Sequence, residues 1–311
     1  MIGRALALLL SASPVAADEV RIAGPEGLLA AMAIPVPGAQ HVVVLIPGSG
    51  PTNRDGNGPA IRSDTYRMLA EALAEQGIAS LRIDKRGMFA SRAALADPNA
   101  VTLADYAADA RAWVAEARDL APCVWLIGHS EGGLVALLAA TEPLPGLCGL
   151  ILLSAPGRPL GRLVVEQVAS NPLNALLVDE VKAAVAALER GEHIDPATIP
   201  TLLRPLFPAA VQDYLIDVFS YDPAALAAGW RDPVLIVQGD KDIQVTMADA
   251  DLLAAAMPQA ERLNLPGTTH MLKPGKLTDP MATYTDPALP LDAKLVPGIT
   301  GFLSGQPHGV P

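Results

Sequence analysis

Cysteine is nearly absent from this chain, with two residues, Cys123 and Cys148, in 311. That is too few for a disulfide scaffold or a cysteine-rich metal cluster, and neither has the neighbours expected of a nucleophile or a ligand. Each stands just before a strand-like apolar run, at 124–127 and 150–153. If those strands are parallel neighbours, both thiols lie at one sheet edge and can pair in an oxidising compartment. Two buried free thiols are the alternative, and the sequence leaves both open. There is no run of five or more like charges, hence no charged interaction tail. Basic residues are outnumbered by acidic ones, 22 to 33, for a net charge of -11. A nucleic acid or an anionic membrane surface would repel such a chain. No His-Glu-x-x-His motif and no cysteine–histidine cluster with metal spacing occurs, so neither a metal nor an organic cofactor is implied. No internal repeat is found.

Long apolar runs are missing too. The stretch 5–12, broken only by Ser11, is too short to cross a bilayer core of about 30 Å. Preceded by Arg4 and followed by Val15-Ala16-Ala17, it reads as a signal peptide over 1–17, cleaved near Ala17. The expected location is periplasmic or secreted, with no membrane anchor after processing.

With 51% hydrophobic residues, the chain can bury a sizeable core. Strand and helix patterns alternate, which predicts a mostly parallel sheet with helices on both faces. An antiparallel opening hairpin is expected at 19–22 and 28–34, across Gly24-Pro25-Glu26-Gly27. Strands follow at 41–46, 78–83, 123–127, 150–153, 234–238 and 261–265, and helices at 64–76, 102–120, 131–141, 246–257 and 291–303. The alternation stops over 157–230, where three helical segments (163–168, 173–190 and 209–219) sit among prolines. This stretch is expected to be a helical cap inserted into a core formed by 18–156 and 231–305, with a disordered tail over 306–311.

Within Gly128-His129-Ser130-Glu131-Gly132 a strand must become a helix across one residue. Side chains at 128 and 132 would clash in so sharp a turn, which explains the glycines. The hydroxyl of Ser130 is thereby held above the sheet at a helix N-terminus, where developing negative charge is favoured. A serine that merely caps a helix would not require small residues on both flanks.

A serine hydroxyl needs a base, and the base needs an orienting acid. Two late strands end in suitable loops, Gly239-Asp240-Lys241-Asp242 and Pro266-Gly267-Thr268-Thr269-His270. Among five histidines only His270 follows a late core strand. His41 begins a strand, His129 points away from Ser130, His193 falls in the cap and His308 in the tail. Asp242 is the expected orienting acid because the turn needs length to bring a carboxylate under the imidazole. Asp240 is the alternative and is expected to hold the turn itself. Oxyanion donors are expected from the backbone N–H of Glu131 and from Ser49 or Gly50 in the glycine-rich loop 47–58. That loop lacks a Gly-Lys-Ser/Thr ending and a G-x-G-x-x-G spacing, so a phosphate reading is weak. Glu131, Arg54–Asp55 and Asp84–Arg86 are read as structural, the first favoured by the helix dipole and the others as pairs bracing loops.

Together these residues resemble the α/β-hydrolase superfamily. The stretch Pro47-Gly48-Ser49-Gly50-Pro51-Thr52-Asn53-Arg54-Asp55-Gly56-Asn57 is similar to the G-S-G-P-x-D-R-D-G-N loop of a bacterial esterase-like group. Arg82-Ile83-Asp84-Lys85-Arg86-Gly87 and Gly267-Thr268-Thr269-His270-Met271-Leu272-Lys273 also look like that group. Asn53 stands where the group often has aspartate, and Met88-Phe89-Ala90-Ser91 is bulkier than its usual sequence. The resemblance implies an α/β-hydrolase fold and a serine hydrolase acting on small-molecule carboxylic esters through an acyl-enzyme, with Ser130, Asp242 and His270 as triad. A peptidase or thioesterase would use the same residues. A non-catalytic exported binding protein is the alternative from a different class.

Overall fold

Side chains along a strand alternate between the two faces of a sheet, and that period of two organises this core. The computed structural model describes residues 17–275, 279 and 281–306. Its strands are β1 (Asp18–Ala23), β2 (Leu28–Ile34), β3 (His41–Ile46), β4 (Ala79–Ile83), β5 (Cys123–His129), β6 (Leu147–Leu153), β7 (Val234–Gly239) and β8 (Glu261–Leu265). They form one eight-stranded sheet in the order β1-β2-β4-β3-β5-β6-β7-β8. Pairing is antiparallel for β1–β2 and β2–β4 and parallel from β4 onward. The central strands are buried on both faces, so they read in sequence as unbroken apolar runs.

The helices are α1 (Thr65–Glu75), α2 (Leu103–Ala117), α3 (Glu131–Ala139), α4 (Leu160–Ala169), α5 (Val178–Glu189), α6 (Gln212–Phe219), α7 (Pro223–Ala227), α8 (Met247–Ala256), α9 (Ala282–Thr285) and α10 (Leu295–Ser304). Val42, Val44, Val124 and Leu126 face a layer filled by α2, α3 and α8. Val43, Leu45, Trp125 and Ile127 face the opposite layer, filled by α1 and α10. Each large apolar side chain buried this way contributes about 1.5–3 kcal/mol. Helix α2 starts at a capping box. Thr102 Oγ1 accepts the Asp105 N–H at 3.1 Å while the Asp105 carboxylate accepts the Thr102 N–H at 2.9 Å.

Cys123 and Cys148 form a disulfide between neighbouring strands, with Cα atoms 5.6 Å apart. β6 begins at Leu147, three residues before the expected start, so Cys148 lies inside the strand. The register shifts beside it, after Val124, which lets the two parallel strands accommodate the bridge. The bridge closes the N-terminal edge of the sheet, opposite the edge that carries Ser130.

Helices α4 to α7 lie between β6 and β7. Val181, Leu188, Leu203 and Phe207 of this segment are buried in the same apolar cluster as the sheet's α2/α3 face. Asp217 of α6 accepts the Leu103 N–H at the start of α2, at 2.7 Å. Residues 172–177 wind as a 3₁₀ turn opened by Asn171 and Pro172, so the single helix expected over 173–190 begins only at Val178. Helix α7 was not anticipated, although Asp222-Pro223 is a readable start: Asp222 accepts the N–H groups of Ala224 and Ala225. The final helix starts at Leu295, not 291. Asp292 is instead committed to the His270 loop, its N–H to Leu272 O at 2.9 Å and its carboxylate to Thr268 Oγ1 at 2.6 Å. Residues 1–16 of the expected leader, residues 307–311 of the expected tail, and with them His308, lie outside the described residues. No helix among the described residues is long and apolar enough to cross a membrane.

Candidate active site

The turn at Ser130 joins β5 to α3. Ser130 has φ 54° and ψ −127°, a left-handed conformation at a residue with a side chain. Such backbone costs on the order of 1–3 kcal/mol and persists only where its surroundings hold it. Ser130 N–H donates to Leu153 O at 2.9 Å and Ser130 O accepts the Gly133 N–H at 2.8 Å. A Cβ at Gly128 would stand 2.2 Å from the Gly132 carbonyl oxygen, and one at Gly132 would stand 2.4 Å from Ile46 O. Both glycines are therefore required by close approach of backbone. Glu131 is the first residue of α3, so its N–H has no carbonyl one turn earlier within the helix.

β7 and β8 deliver the other two side chains to the same edge. His270 Nδ1 lies 2.7 Å from Asp242 Oδ2, and both side chains are buried. Asp242 also accepts the N–H groups of Gln244 at 2.8 Å and Val245 at 2.9 Å, and the Gln238 amide at 3.3 Å. Burial disfavours its charge, but His270 and these backbone donors outweigh burial and hold the carboxyl below its usual range. Asp240 accepts the Gly267 N–H at 2.6 Å and so ties the two loops together without touching the imidazole.

Ser130 and His270 line one cavity of about 70 Å³, along with Gly48, Ser49, Tyr66 and Gln244. A larger cavity of about 340 Å³ opens on the other side of Ser130. Its lining includes Ser49, Gly50 and Glu131 at the sheet edge, and Leu160, Leu163, Val164, Leu215, Val218 and Phe219 from α4 and α6. Loop 47–58 is firmly pinned. Asn53 Oδ1 accepts the N–H groups of Asp55 and Asn57, both at 2.9 Å, the role an aspartate would play there. Gly50 has φ +67°, and Thr52 Oγ1 donates to Ser49 O at 3.2 Å.

Residues 57–273 match the family model described as serine aminopeptidase, S33, a hydrolase family. The chain belongs to that family. Esterase EstD of Thermotoga maritima is 27% identical over 228 residues, covering 72% of this chain and 52% of the relative, so the match spans about half the length of that curated protein. Among solved structures, the Pyrococcus furiosus esterase Pf2001 superposes with a TM-score of 0.61 at 15% identity, over 94% of this chain and 92% of that one. Est1E from Butyrivibrio proteoclasticus gives 0.59 at 20% identity, over 92% and 97%. These likenesses show the α/β-hydrolase fold.

Sequence reasoning missed several side chains that surround the candidate site. The ring of His129 does not reach for Ser130 but lies 4.7 Å, centroid to centroid, from that of His270. Its Nε2 is 2.8 Å from the His270 carbonyl oxygen and its Nδ1 is 2.7 Å from the Tyr66 hydroxyl. Glu131 is not simply a dipole-favoured residue at a helix start. Its carboxylate is buried, accepts the Ser49 hydroxyl at 2.8 Å and stands 3.6 Å from Lys85 Nζ. The expected loop braces exist with different partners. Arg54 pairs with Asp84 and Glu19, Asp55 with Arg82, and Arg86 with Asp109 and Asp105. Arg54 and Asp55 are the central residues of a turn closed by the Gly56 N–H on Asn53 O at 2.9 Å, and each meets a partner on another segment. Of the remaining histidines, His41 is buried and accepts the Trp125 indole N–H at 3.1 Å, while His193 meets Asp213 at the surface. Among the described residues, no group of three or more histidine, cysteine or acidic side chains could hold a metal ion.

Proposed function

We propose that this hydrolase cleaves carboxylic esters of small molecules by a serine mechanism. The observation that carries the reading is one cavity lined by both Ser130, strained in its turn, and His270, whose imidazole is held by Asp242. Ser130 attacks the ester carbonyl and His270 Nε2 takes its proton. Asp242 keeps the proton on Nδ1 and stabilises the imidazolium that forms. The oxyanion is met by the Glu131 N–H and by a donor from Ser49 or Gly50, each worth about 3 kcal/mol. His270 then protonates the departing alkoxide, and a water activated by the same ring hydrolyses the acyl-enzyme.

The aliphatic lining of the larger cavity supports an apolar acyl group. The segment 157–230, which supplies much of that lining, acts in this reading as a cap that selects substrate. The loop 47–57 supports kinship with the esterase-like group, and esterases recur among the similar proteins. The disulfide supports an oxidising compartment and hence export through the leader at 1–17.

The family's aminopeptidase description favours peptide hydrolysis as a second reading. An aminopeptidase must bind a substrate ammonium. Glu131 is the one carboxylate among the described residues lining the larger cavity, and it is already engaged by Lys85 and Ser49. Purified protein should label stoichiometrically with a fluorophosphonate probe, and Ser130→Ala should abolish labelling. It should turn over p-nitrophenyl butyrate far faster than aminoacyl p-nitroanilides. A folded wild type that does not label would overturn the serine mechanism, and faster anilide cleavage would replace esterase with peptidase.

A further inference from the structure

Lys85 follows β4 by two residues and is only 3% exposed, yet the triad makes no use of it. Its ammonium donates to the Gly48 carbonyl at 2.7 Å, sits 3.6 Å from Glu131 and lies 5.2 Å from the centre of the Tyr106 ring. The other polar group of Gly48 is engaged as well, its N–H donating to the Tyr66 hydroxyl at 3.2 Å.

The direction of the hydrogen bonds beyond Gly48 follows from elementary valence. A carbonyl can only accept, so His129 Nε2, facing the His270 carbonyl, carries a proton. Burial, reinforced by the nearby His270, pushes the pKa of His129 down to about 3, so the ring is neutral and its Nδ1 is an acceptor. The Tyr66 hydroxyl must then donate to Nδ1, which leaves its oxygen to accept from Gly48. A directed chain runs from the Gly48 N–H to Tyr66, His129 and the backbone of His270, and Lys85 holds the same glycine by its carbonyl, on the other side of its Cα.

The consequence at Ser49 is geometric. In a trans peptide the C=O and the following N–H point in opposite directions. Fixing the Gly48 carbonyl on Lys85 therefore turns the Ser49 N–H away from Lys85. Ser49 lines both cavities beside Ser130, while Gly50 lines only the larger. The Ser49 hydroxyl is tethered separately to Glu131.

We propose that Lys85 is a positioning residue: it aims the Ser49 N–H as the second oxyanion donor and, through Gly48, Tyr66 and His129, ties that donor to the loop carrying the base. The proposal rests on the Ser130 mechanism above and selects Ser49 over Gly50. Its test compares Lys85→Met and Tyr66→Phe with wild type, counting active sites by fluorophosphonate titration and assaying an ester against its thionoester. Lys85→Met should lower kcat per titrated site about 100-fold with KM changed less than about threefold, the size expected for one lost oxyanion donor. Tyr66→Phe, which keeps the ring, should lower it about tenfold. Sulfur is a weak acceptor, so the ester-over-thionoester preference should shrink in Lys85→Met, which loss of stability alone would not cause. If Lys85→Met does not fold, Tyr66→Phe decides the matter by the same readouts. Full titration with kcat within twofold of wild type, or equal losses on both substrates, would overturn this proposal and leave Ser130 in place. A folded wild type that does not titrate would remove the Ser130 mechanism itself.

Discussion

The two walls that meet at Ser130 are built on different physics. One is the rim of the sheet, where Lys85, Glu131, Tyr66, His129, His270 and Asp242 are all buried and joined by short polar contacts. The other is the inner side of α4 and α6, where mostly aliphatic side chains, with Phe219 and Tyr214, bound a cavity of about 340 Å³. A buried polar group is costly unless its partner sits at the right distance and angle, so the rim tolerates little movement. An aliphatic wall is set by volume alone and adapts to exchange of one apolar side chain for another. Damage to the rim should therefore appear in kcat, and damage to the aliphatic wall in the choice of substrate.

The largest expected effect tests the rim where the two aspartates part company. Asp242→Asn keeps the shape but cannot hold the imidazole in the productive tautomer, and kcat should fall about 10⁴-fold. Asp240→Asn retains an oxygen for the Gly267 N–H and should cost less than about tenfold. Steady-state kinetics on one activated ester separates the two, and comparable losses would show that Asp242 is not the orienting acid. A smaller effect is expected from the aliphatic wall. Leu163→Trp fills space beside Ser130 and should lower kcat/KM for an octanoyl ester about 10- to 100-fold, equivalent to about 1–3 kcal/mol. The acetyl ester should change less than about threefold. Equal losses on both esters would mean that the cavity does not receive the acyl chain.

The same contrast explains what could be read from the sequence. The sheet was legible because buried strands announce themselves as apolar runs and the turn at Ser130 needs glycine on both flanks. His270 was legible because topology places late strand ends at one edge. Lys85, Tyr66 and His129 were not, because each looks ordinary in its local element. Lys85 is a charge after a strand, Tyr66 an apolar-face residue near a helix start, and His129 a strand's last residue. Their partnership exists only where β4, α1 and β5 converge on Gly48, across separations of 18 to 63 residues. The cavity lining was equally hidden. Tyr214 and Phe219 line it, Leu203 and Phe207 are buried in the main apolar cluster, and Leu206 is exposed. Nothing in their spacing distinguishes these outcomes.

Stability, unlike turnover, reports on the hydrogen-bond direction inferred along the rim. His129 titrates near pH 3 in the folded protein, against about 6.5 when exposed. Between those values the unfolded chain binds a proton that the folded chain refuses. The stability linked to neutral His129 is therefore complete above about pH 6.5 and is lost as pH falls, by about 1.4 kcal/mol per unit. His129→Gln cannot titrate, so its unfolding free energy, measured by urea denaturation between pH 6 and 4, should fall less steeply than that of wild type by about this slope. Asp242 contributes in a different window. Its lowered carboxyl adds stability above about pH 3.9 that disappears as pH drops through its folded value. Matching slopes for wild type and His129→Gln would mean that His129 accepts a proton in the folded state. Over that pH range its Nδ1 could then not accept from Tyr66, and the directed chain from the Gly48 N–H to His270 would be broken at its centre.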